Sequence, residues 1–481
     1  MILDEILEVL KRKSNNKAYT IGNKSYTYAE MYKYVSNIYT FLKKVNKKRI
    51  PVVVYGHKEI YMKAIFLACS FAGMTYVPID SSMPEERINS ILSQIQPCLI
   101  IGDLKNNIKT ISNSKVYDIM FNEDYKEINN ICMNSDDIYY IMFTSGSTGT
   151  PKGVKISYSN LDSCVNWLKE IARIDKGVVL NQAIYSFDLS VADLYLSLVT
   201  ESEHYIIEAK DIFDYDYIFK ELRKSNATLA VMTPSYADLL LLDKAFNQEL
   251  MPSLQTIIFC GEKLQNKTVE KLYNRFNNLK IINTYGPTEC TFAVTSFEVP
   301  RNLEEEIPVG KSKEDVKIYI VDKNLQELSE NKTGEILITG KSVSSGYLGE
   351  VSNNSFINYK NEKAYLTGDL GYLKNGVLYY KQRKDKQIKY KGYRIELSDI
   401  ENNLQHLNYI EKTVVVAKKE EGEVKSVVAF VKTEQPIEKI KQDLRKQLPE
   451  YMIPKIIIVD RFPINRNGKC DEKKLLLQIG G

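Results

Sequence analysis

Tyr139-Tyr-Ile-Met-Phe-Thr-Ser-Gly-Ser-Thr-Gly-Thr-Pro-Lys-Gly-Val154 joins a strand-like run to a loop of small polar residues. Tyr139–Phe143 is aromatic and β-branched. Thr144–Pro151 then holds two glycines and a series of hydroxyls, with Lys152 directly behind. Glycines let backbone N–H groups approach phosphate oxygens, while hydroxyls and a lysine add donors and positive charge. The spacing differs from the GxxxxGK[ST] phosphate loop. A Gly/Ser/Thr loop alone reads as flexible surface. A strand before it and Lys-Gly-Val after it favour phosphate binding.

Working outward, short β-branched runs alternate with longer amphipathic ones. Ile50–Tyr55, Tyr76–Ile79 and Cys98–Gly102 read as strands, and Lys58–Ala72 and Pro84–Gln94 as helices. The alternation recurs from Leu180 to Ile282. It predicts an α/β fold with parallel-type sheets covered by helices. From about Pro308 the texture changes to short strands (Val316–Val321, Gly334–Thr339, Gly376–Tyr380) with Gly and Asn turns, a small β section. After Arg383, helices at Ser398–Leu407 and Ile437–Leu448 flank a hairpin of Thr413–Lys418 and Val424–Val431, a compact α+β segment. The expected division is a core of residues 1–384 and a lid of residues 385–481.

The 481 residues are enough for more than one domain. Net charge is +4 with both signs interspersed, so no basic arm points to nucleic acid or to an anionic membrane. No apolar run is long enough to span a bilayer. Seven scattered cysteines without metal or redox spacing suggest a reducing cytoplasm. Three histidines outside any HExxH context make zinc hydrolysis and a Ser-His-Asp triad poor expectations.

Four further strings carry chemistry. Asn283-Thr-Tyr-Gly-Pro-Thr-Glu289 sits at a predicted strand end, where ligands collect in α/β sheets. Tyr285 there can stack on a base, Thr288 can bond a phosphate and Glu289 can hold Mg²⁺; a plain Gly-Pro turn is the bland alternative. Tyr365-Leu-Thr-Gly-Asp-Leu370 places Asp369 after a strand and a glycine, as a ribose acceptor or an Asx turn. Ser186-Phe-Asp-Leu-Ser-Val-Ala-Asp-Leu-Tyr195 opens a helix with Asp188 as N-cap or as partner of a substrate ammonium. Pro463-Ile-Asn-Arg-Asn-Gly-Lys-Cys-Asp471 is a tight turn carrying Lys469.

Together these motifs resemble the adenylate-forming superfamily of acyl-CoA synthetases, luciferases and peptide-synthetase adenylation domains, over essentially the whole chain. The resemblance implies ATP and Mg²⁺ as cofactors. It implies that Thr144, Ser145, Gly146, Ser147, Thr148, Gly149 and Lys152 hold ATP phosphates. It places Asn283 and Tyr285 around adenine, and Gly261, Thr284 and Gly286 in the ATP site. Thr288 then meets the α-phosphate, Glu289 the metal, and Asp369 and Arg383 the ribose. Asp385 becomes the hinge, Lys391 and Gly392 the face that admits a carrier thiol, and Lys469 the catalytic lysine bridging substrate carboxylate and α-phosphate.

Asp188 favours an amino acid over a fatty or aryl acid. Phe259-Cys-Gly-Glu262 and Thr233-Pro-Ser-Tyr236 resemble the D-alanine:D-alanyl carrier protein ligases, in which the residue at the Cys260 position helps select the D-enantiomer. The implied substrate pocket is Leu189, Ala192, Val231, Ile258, Cys260, Thr284, Phe292 and Ala293. Those ligases tend to carry methionine at the Ala192 position and valine at the Phe292 position, so another small or medium apolar amino acid, or a natural-product pathway, is the alternative. The implied partner is a separate phosphopantetheinylated carrier protein, as in cell-wall D-alanylation, since Gly481 follows Lys469 too closely for a fused carrier. Nucleic acid and membrane insertion are not expected. On this reading Lys469→Ala lowers ATP–pyrophosphate exchange by at least about a hundredfold. ATP affinity, read by equilibrium dialysis, stays within about threefold; equal loss of both refutes the role.

Overall fold

The computed structural model describes residues 1–104, 110–122, 125–146, 149–208, 214–303, 305–349, 354–384, 387–420, 423–463 and 472–477. Ser147, Thr148, Asp385 and Lys469 lie outside the described residues. The chain falls into two compact units. The first gathers Met1–Ser81, Ile95–Met142 and Gly153–Gln382, and the second Ser82–Gln94, Phe143–Lys152 and Arg383–Gly481.

The first unit is α/β. Its largest sheet runs, edge to edge, Lys311–Ser312, Thr295–Glu298, Lys280–Tyr285, Thr256–Phe259, Leu229–Met232, Val178–Asn181, Glu203–Ile206, Lys17–Ile21, Lys24–Thr27. The strands from Lys280–Tyr285 to Lys17–Ile21 are parallel, and both edges are antiparallel. The parallel centre is what the sequence alternation predicts. The N-terminal hairpin that closes one edge is not.

Burial on both faces explains why these strands are continuously apolar rather than alternating. Ala230, Met232, Ile257, Phe259 and Ile281 enter a core on one face. Leu229, Val231, Ile258, Cys260 and Ile282 enter a different core on the other. Successive side chains point to opposite faces, so one register fixes both cores. A second sheet is ordered Thr110–Ile111, Leu99–Ile101, Val52–Gly56, Tyr76–Asp80, Ile138–Thr144, Lys152–Ser157.

The β section is a separate sheet in which Glu362–Lys374 pairs with Gly334–Gly340 and Phe356–Tyr359. Here the sequence expectation needs correction, because Asp369 does not follow a strand. The strand runs through it. Glu335 pairs with Leu370 but Leu337 pairs with Leu366, so Thr367, Gly368 and Asp369 face Ile336 alone. Such a bulge re-aims a side chain within a ladder. Gly368 supplies the left-handed φ of +71° that the kink needs.

In the second unit, Gln387–Tyr390 and Tyr393–Glu396 form a hairpin. Its turn residues Lys391 and Gly392 have φ of +52° and +82°, the pattern of a two-residue type I′ turn. Helix Leu397–Gln405 follows. Lys412–Glu420 and Glu423–Lys432 pair antiparallel, with Lys455–Ile458 added in parallel. Ile388, Ile395, Ile400, Leu404, Val415 and Ile440 share one core. Arg87, from helix Glu85–Gln94, makes a buried ion pair of 3.3 Å with Asp399 in this unit.

Leu254 is buried in the core behind the main sheet, away from the face that carries Cys260. Leu254→Ala should lower unfolding stability by about 2–5 kcal/mol in denaturant titrations. Michaelis constants of the folded fraction should not change.

Candidate active site

The apolar part of the site follows from the sheet faces. Leu189, Ala192, Val231, Ile258, Cys260, Phe292 and Ala293 all belong to one buried cluster. Leu189 and Ala192 come from helix Leu189–Val199, and Val231 and Ile258 from two neighbouring parallel strands. Cys260 directly follows Phe259, the last residue of its strand. Its thiol lies 3.9 Å from the Phe292 carbonyl. Thr284 donates its hydroxyl to the Phe259 carbonyl at 2.8 Å.

Phe292 and Ala293 reach this cluster by an unusual path. After the one-turn 3-10 helix Thr288–Cys290, Thr291 and Phe292 both have left-handed φ, +59° and +69°. The chain doubles back on Gly286, where an added Cβ would stand 2.6 Å from the Ala293 Cα. Only glycine permits that approach. Cys164, Trp167 and Leu168 of helix Tyr158–Ala172 also belong to the cluster. Sequence reasoning missed them, because core-facing residues of an amphipathic helix carry no mark of what they pack against.

Polar groups of the same unit pair off around this cluster. Asp188 occupies the N-cap position of Leu189–Val199, but with helical φ and ψ of −63° and −20° and no side-chain cap bond. The N-cap alternative therefore does not describe it. Its carboxylate accepts instead from Thr288 Oγ1 at 2.6 Å. Glu289, fully buried, accepts from the Tyr347 hydroxyl at 2.7 Å. Tyr285 donates to Asp369 Oδ2 at 2.6 Å. Burial, reinforced by the Asp369 charge, pushes the Tyr285 phenol well above its usual range, so it stays a donor. Its ring centroid is 6.2 Å from that of Tyr380. Asn283 Nδ2 donates to the Pro308 carbonyl at 2.8 Å, while its buried Oδ1 finds no partner among the described residues. Gly261 has a φ of +97° just past Cys260.

The remaining expected residues belong to the second unit. Thr144 ends its strand, Lys152 begins the next, and Gly149 N–H bonds the Gly146 carbonyl at 3.0 Å between them. Ser145 Oγ donates to the Arg394 carbonyl at 2.9 Å and accepts from the Glu396 N–H at 3.2 Å. Arg383 is the last residue of strand Val377–Arg383.

Comparison with known proteins bears on this arrangement. The AMP-binding enzyme family matches residues 7–348, and the AMP-binding enzyme C-terminal domain matches 399–469. The chain belongs to the AMP-binding enzyme family. It is an AMP-forming ligase that uses ATP. A D-alanine–D-alanyl carrier protein ligase of Listeria monocytogenes is 41% identical over 460 residues, 90% of each chain. One from Bacillus cytotoxicus is 39% identical over 450 residues, 89% of each. Among solved structures, the Vibrio cholerae adenylation domain AlmE, bound to glycyl-adenosine-5'-phosphate, superposes with a TM-score of 0.84 at 24% identity, covering 100% of this chain and 97% of that one. An NRPS protein containing adenylation and PCP domains gives 0.86 at 22% identity, covering 99% and 84%. At that identity the likeness is one of fold. No described helix of this ligase is long and apolar enough to cross a membrane.

The tight approach at Gly286 yields a test. Gly286→Ala must push the Phe292–Ala293 backbone away, at a cost of about 1–3 kcal/mol. ATP–pyrophosphate exchange should fall at least about tenfold while circular dichroism remains native. Normal exchange would show that this loop can shift without consequence.

Proposed function

We propose that this ligase activates D-alanine as D-alanyl-AMP and passes it to the phosphopantetheine thiol of a separate carrier protein in the cytoplasm. The observation that carries the reading is the Asp188–Thr288 bond beside a closed apolar cluster that includes Cys260. An anionic carboxylate next to an apolar wall suits a substrate with an ammonium and a small side chain. The ligases from Listeria and Bacillus named above supply the precedent for D-alanine and for the carrier.

In the proposed reaction a carboxylate oxygen of the amino acid attacks the α-phosphorus of ATP. The bond to the β-phosphate bridging oxygen breaks and pyrophosphate leaves. A carrier thiolate then attacks the carbonyl carbon, and AMP departs with the acyl oxygen. Asp188 holds the ammonium, and Thr288 stands between that carboxylate and the α-phosphate. Tyr285 orients Asp369 toward the ribose hydroxyls. The Asn283 Oδ1, buried and unpartnered among the described residues, is an acceptor suited to the adenine amino group. Thr144–Lys152 surrounds the phosphates, Arg383 supports the ribose, and Lys469 neutralises the charge that develops.

Mg²⁺ fits this donor set. Among the described residues no group of three His, Cys, Asp or Glu side chains could hold a metal by itself. Magnesium is ordinarily held by one or two carboxylates together with substrate phosphates, and Glu289 supplies one. The ion neutralises phosphate charge when bound. We assign the core to residues 1–384 and the lid to 385–481, with Asp385 as hinge and Lys391 and Gly392 facing the carrier thiol.

The deciding experiment is ATP–pyrophosphate exchange across D- and L-amino acids and benzoates. D-alanine should give the strongest exchange, with L-alanine at least about tenfold weaker. Preference for a larger or L-amino acid overturns the D-alanine reading in favour of a biosynthetic adenylating enzyme. Ala192 and Phe292 are then the residues responsible, tested by Ala192→Met and Phe292→Val.

A further inference from the structure

The string Ser186–Tyr195 carries a second aspartate that the proposed reaction does not use. Asp193 lies on helix Leu189–Val199, one turn beyond Leu189, and is completely buried. Its Oδ1 meets Asn181 Nδ2 at 3.0 Å and His204 Nε2 at 3.0 Å, and its Oδ2 meets Asn181 Nδ2 at 3.1 Å. Asn181 ends one parallel strand and His204 lies in the adjacent one. His204 is fully buried too, and burial holds its ring well below the usual imidazole range. The ring is therefore neutral, and its Nε2 shares a hydrogen bond with Asp193 Oδ1.

Two buried lysines of the same unit surround this cluster. Lys58 Nζ donates to the carbonyls of Gln182 (2.6 Å) and Ile207 (3.0 Å), the residues just past the ends of those two strands. Lys63 Nζ reaches the Ala18 carbonyl (3.3 Å) and Ser197 Oγ (3.4 Å), the latter on the Asp193 helix. Desolvation lowers Lys58 to about 8 and Lys63 to about 7, and the Asp193 charge opposes that lowering in both. Desolvation likewise pushes the Asp193 carboxyl well above its usual range.

These bonds converge on one stretch of chain, the loop 182–188 that ends at Asp188. Asn181 Nδ2 also donates to the Ala183 carbonyl at 3.0 Å, closing the start of the loop. Lys58 grips the loop's first residue, Gln182. The loop's far end is closed by the Ile184 carbonyl taking the Phe187 N–H and the Phe187 carbonyl taking the Ser190 N–H, both at 3.0 Å. Asp193 joins the loop's root on Asn181 to the helix that receives its end.

We propose that Asp193 is a positioning residue for amino-acid recognition: through Asn181 and His204 it locks the loop 182–188 and the first turn of its own helix, and so sets where the Asp188 carboxylate stands. This rests on the reading of Asp188 as the ammonium site. A buried ion network is weak evidence for stability, because removing ions from water opposes their attraction. Its best-attested use is to impose one geometry where an apolar contact would allow several.

The test measures steady-state exchange with D-alanine and ATP for Asp193→Asn, Asp188→Asn, Leu254→Ala and Lys58→Met. Asp193→Asn should raise KM for D-alanine about tenfold or more, leaving KM for ATP and kcat within about threefold. Leu254→Ala, destabilised through the opposite core, should leave both KM values unchanged. Should Asp193→Asn fail to fold, Lys58→Met, which releases Gln182, should raise the same KM at least about threefold. An unchanged KM for D-alanine in Asp193→Asn, or a loss confined to kcat in proportion to lost stability, overturns the inference. If Asp188→Asn also leaves that KM unchanged, it is the ammonium reading that has failed. A large rise in Asp188→Asn with none in Asp193→Asn refutes the positioning role alone.

Discussion

The hydrogen bond from Thr288 to Asp188 joins two segments 100 residues apart in sequence. Asp188 is reached through the strand Val178–Asn181, and Thr288 through Lys280–Tyr285. Between those strands in the sheet lie Leu229–Met232 and Thr256–Phe259. The bond therefore spans the carboxyl ends of two intervening parallel strands. Val231, Ile258 and Cys260, from those strands and their ends, line the apolar cluster. Ligands gather at this edge of a parallel sheet because the loops there are free to vary while the strands fix their roots. The bond ties the loop ending at Asp188 directly to the turn Thr288–Cys290.

What the sequence made legible was local and categorical. Glycine, proline and hydroxyl spacing around Thr144–Lys152 and Asn283–Glu289 marked strand-end loops, because such residues are needed where backbone conformation or close approach is special. Continuous β-branched runs marked the parallel centre. The illegible parts depend on pairing. Nothing in Thr367-Gly368-Asp369 states that three residues will oppose one, since a bulge is a property of two strands together. Lys17–Ile21 could not be assigned to the edge beside Glu203–Ile206, because register with a strand nearly two hundred residues away leaves no local trace. Cys164 and Trp167 were invisible as cluster members for the same reason. The polar role of Asp188 was half legible: its residue type allowed a cap or an ion partner, and the backbone angles exclude the cap.

The departures that the resemblance implies at Ala192 and Phe292 have a common meaning once both stand in one cluster. A smaller residue on the helix and a larger one on the returning loop move volume from one wall to the other instead of enlarging the whole. Cores tolerate such exchanges when total volume is kept. Discrimination by pocket volume alone is modest, about 1–3 kcal/mol per methylene. A site of this kind gains selectivity from where its polar anchor stands relative to the walls, more than from the size of the cavity.

That consideration gives the buried polar cluster behind the helix a rationale that stability does not. Asp193, His204, Lys58 and Lys63 are all nine-tenths or more buried, and each would sit in water at less cost. An apolar residue at position 193 would pack against the sheet with freedom to slide or rotate by fractions of an ångström. A carboxylate held by two donors on adjacent strands has little such freedom, since hydrogen-bond energy falls off steeply with angle and distance. Binding groups need to stand within about 0.5 Å of their productive positions, and that demand falls on whatever supports them. Where a proposed anchor begins a helix, as Asp188 does, the support must act on the helix and on the loop entering it together. Asn181, bonded to both Asp193 and Ala183, meets that condition with a single side chain.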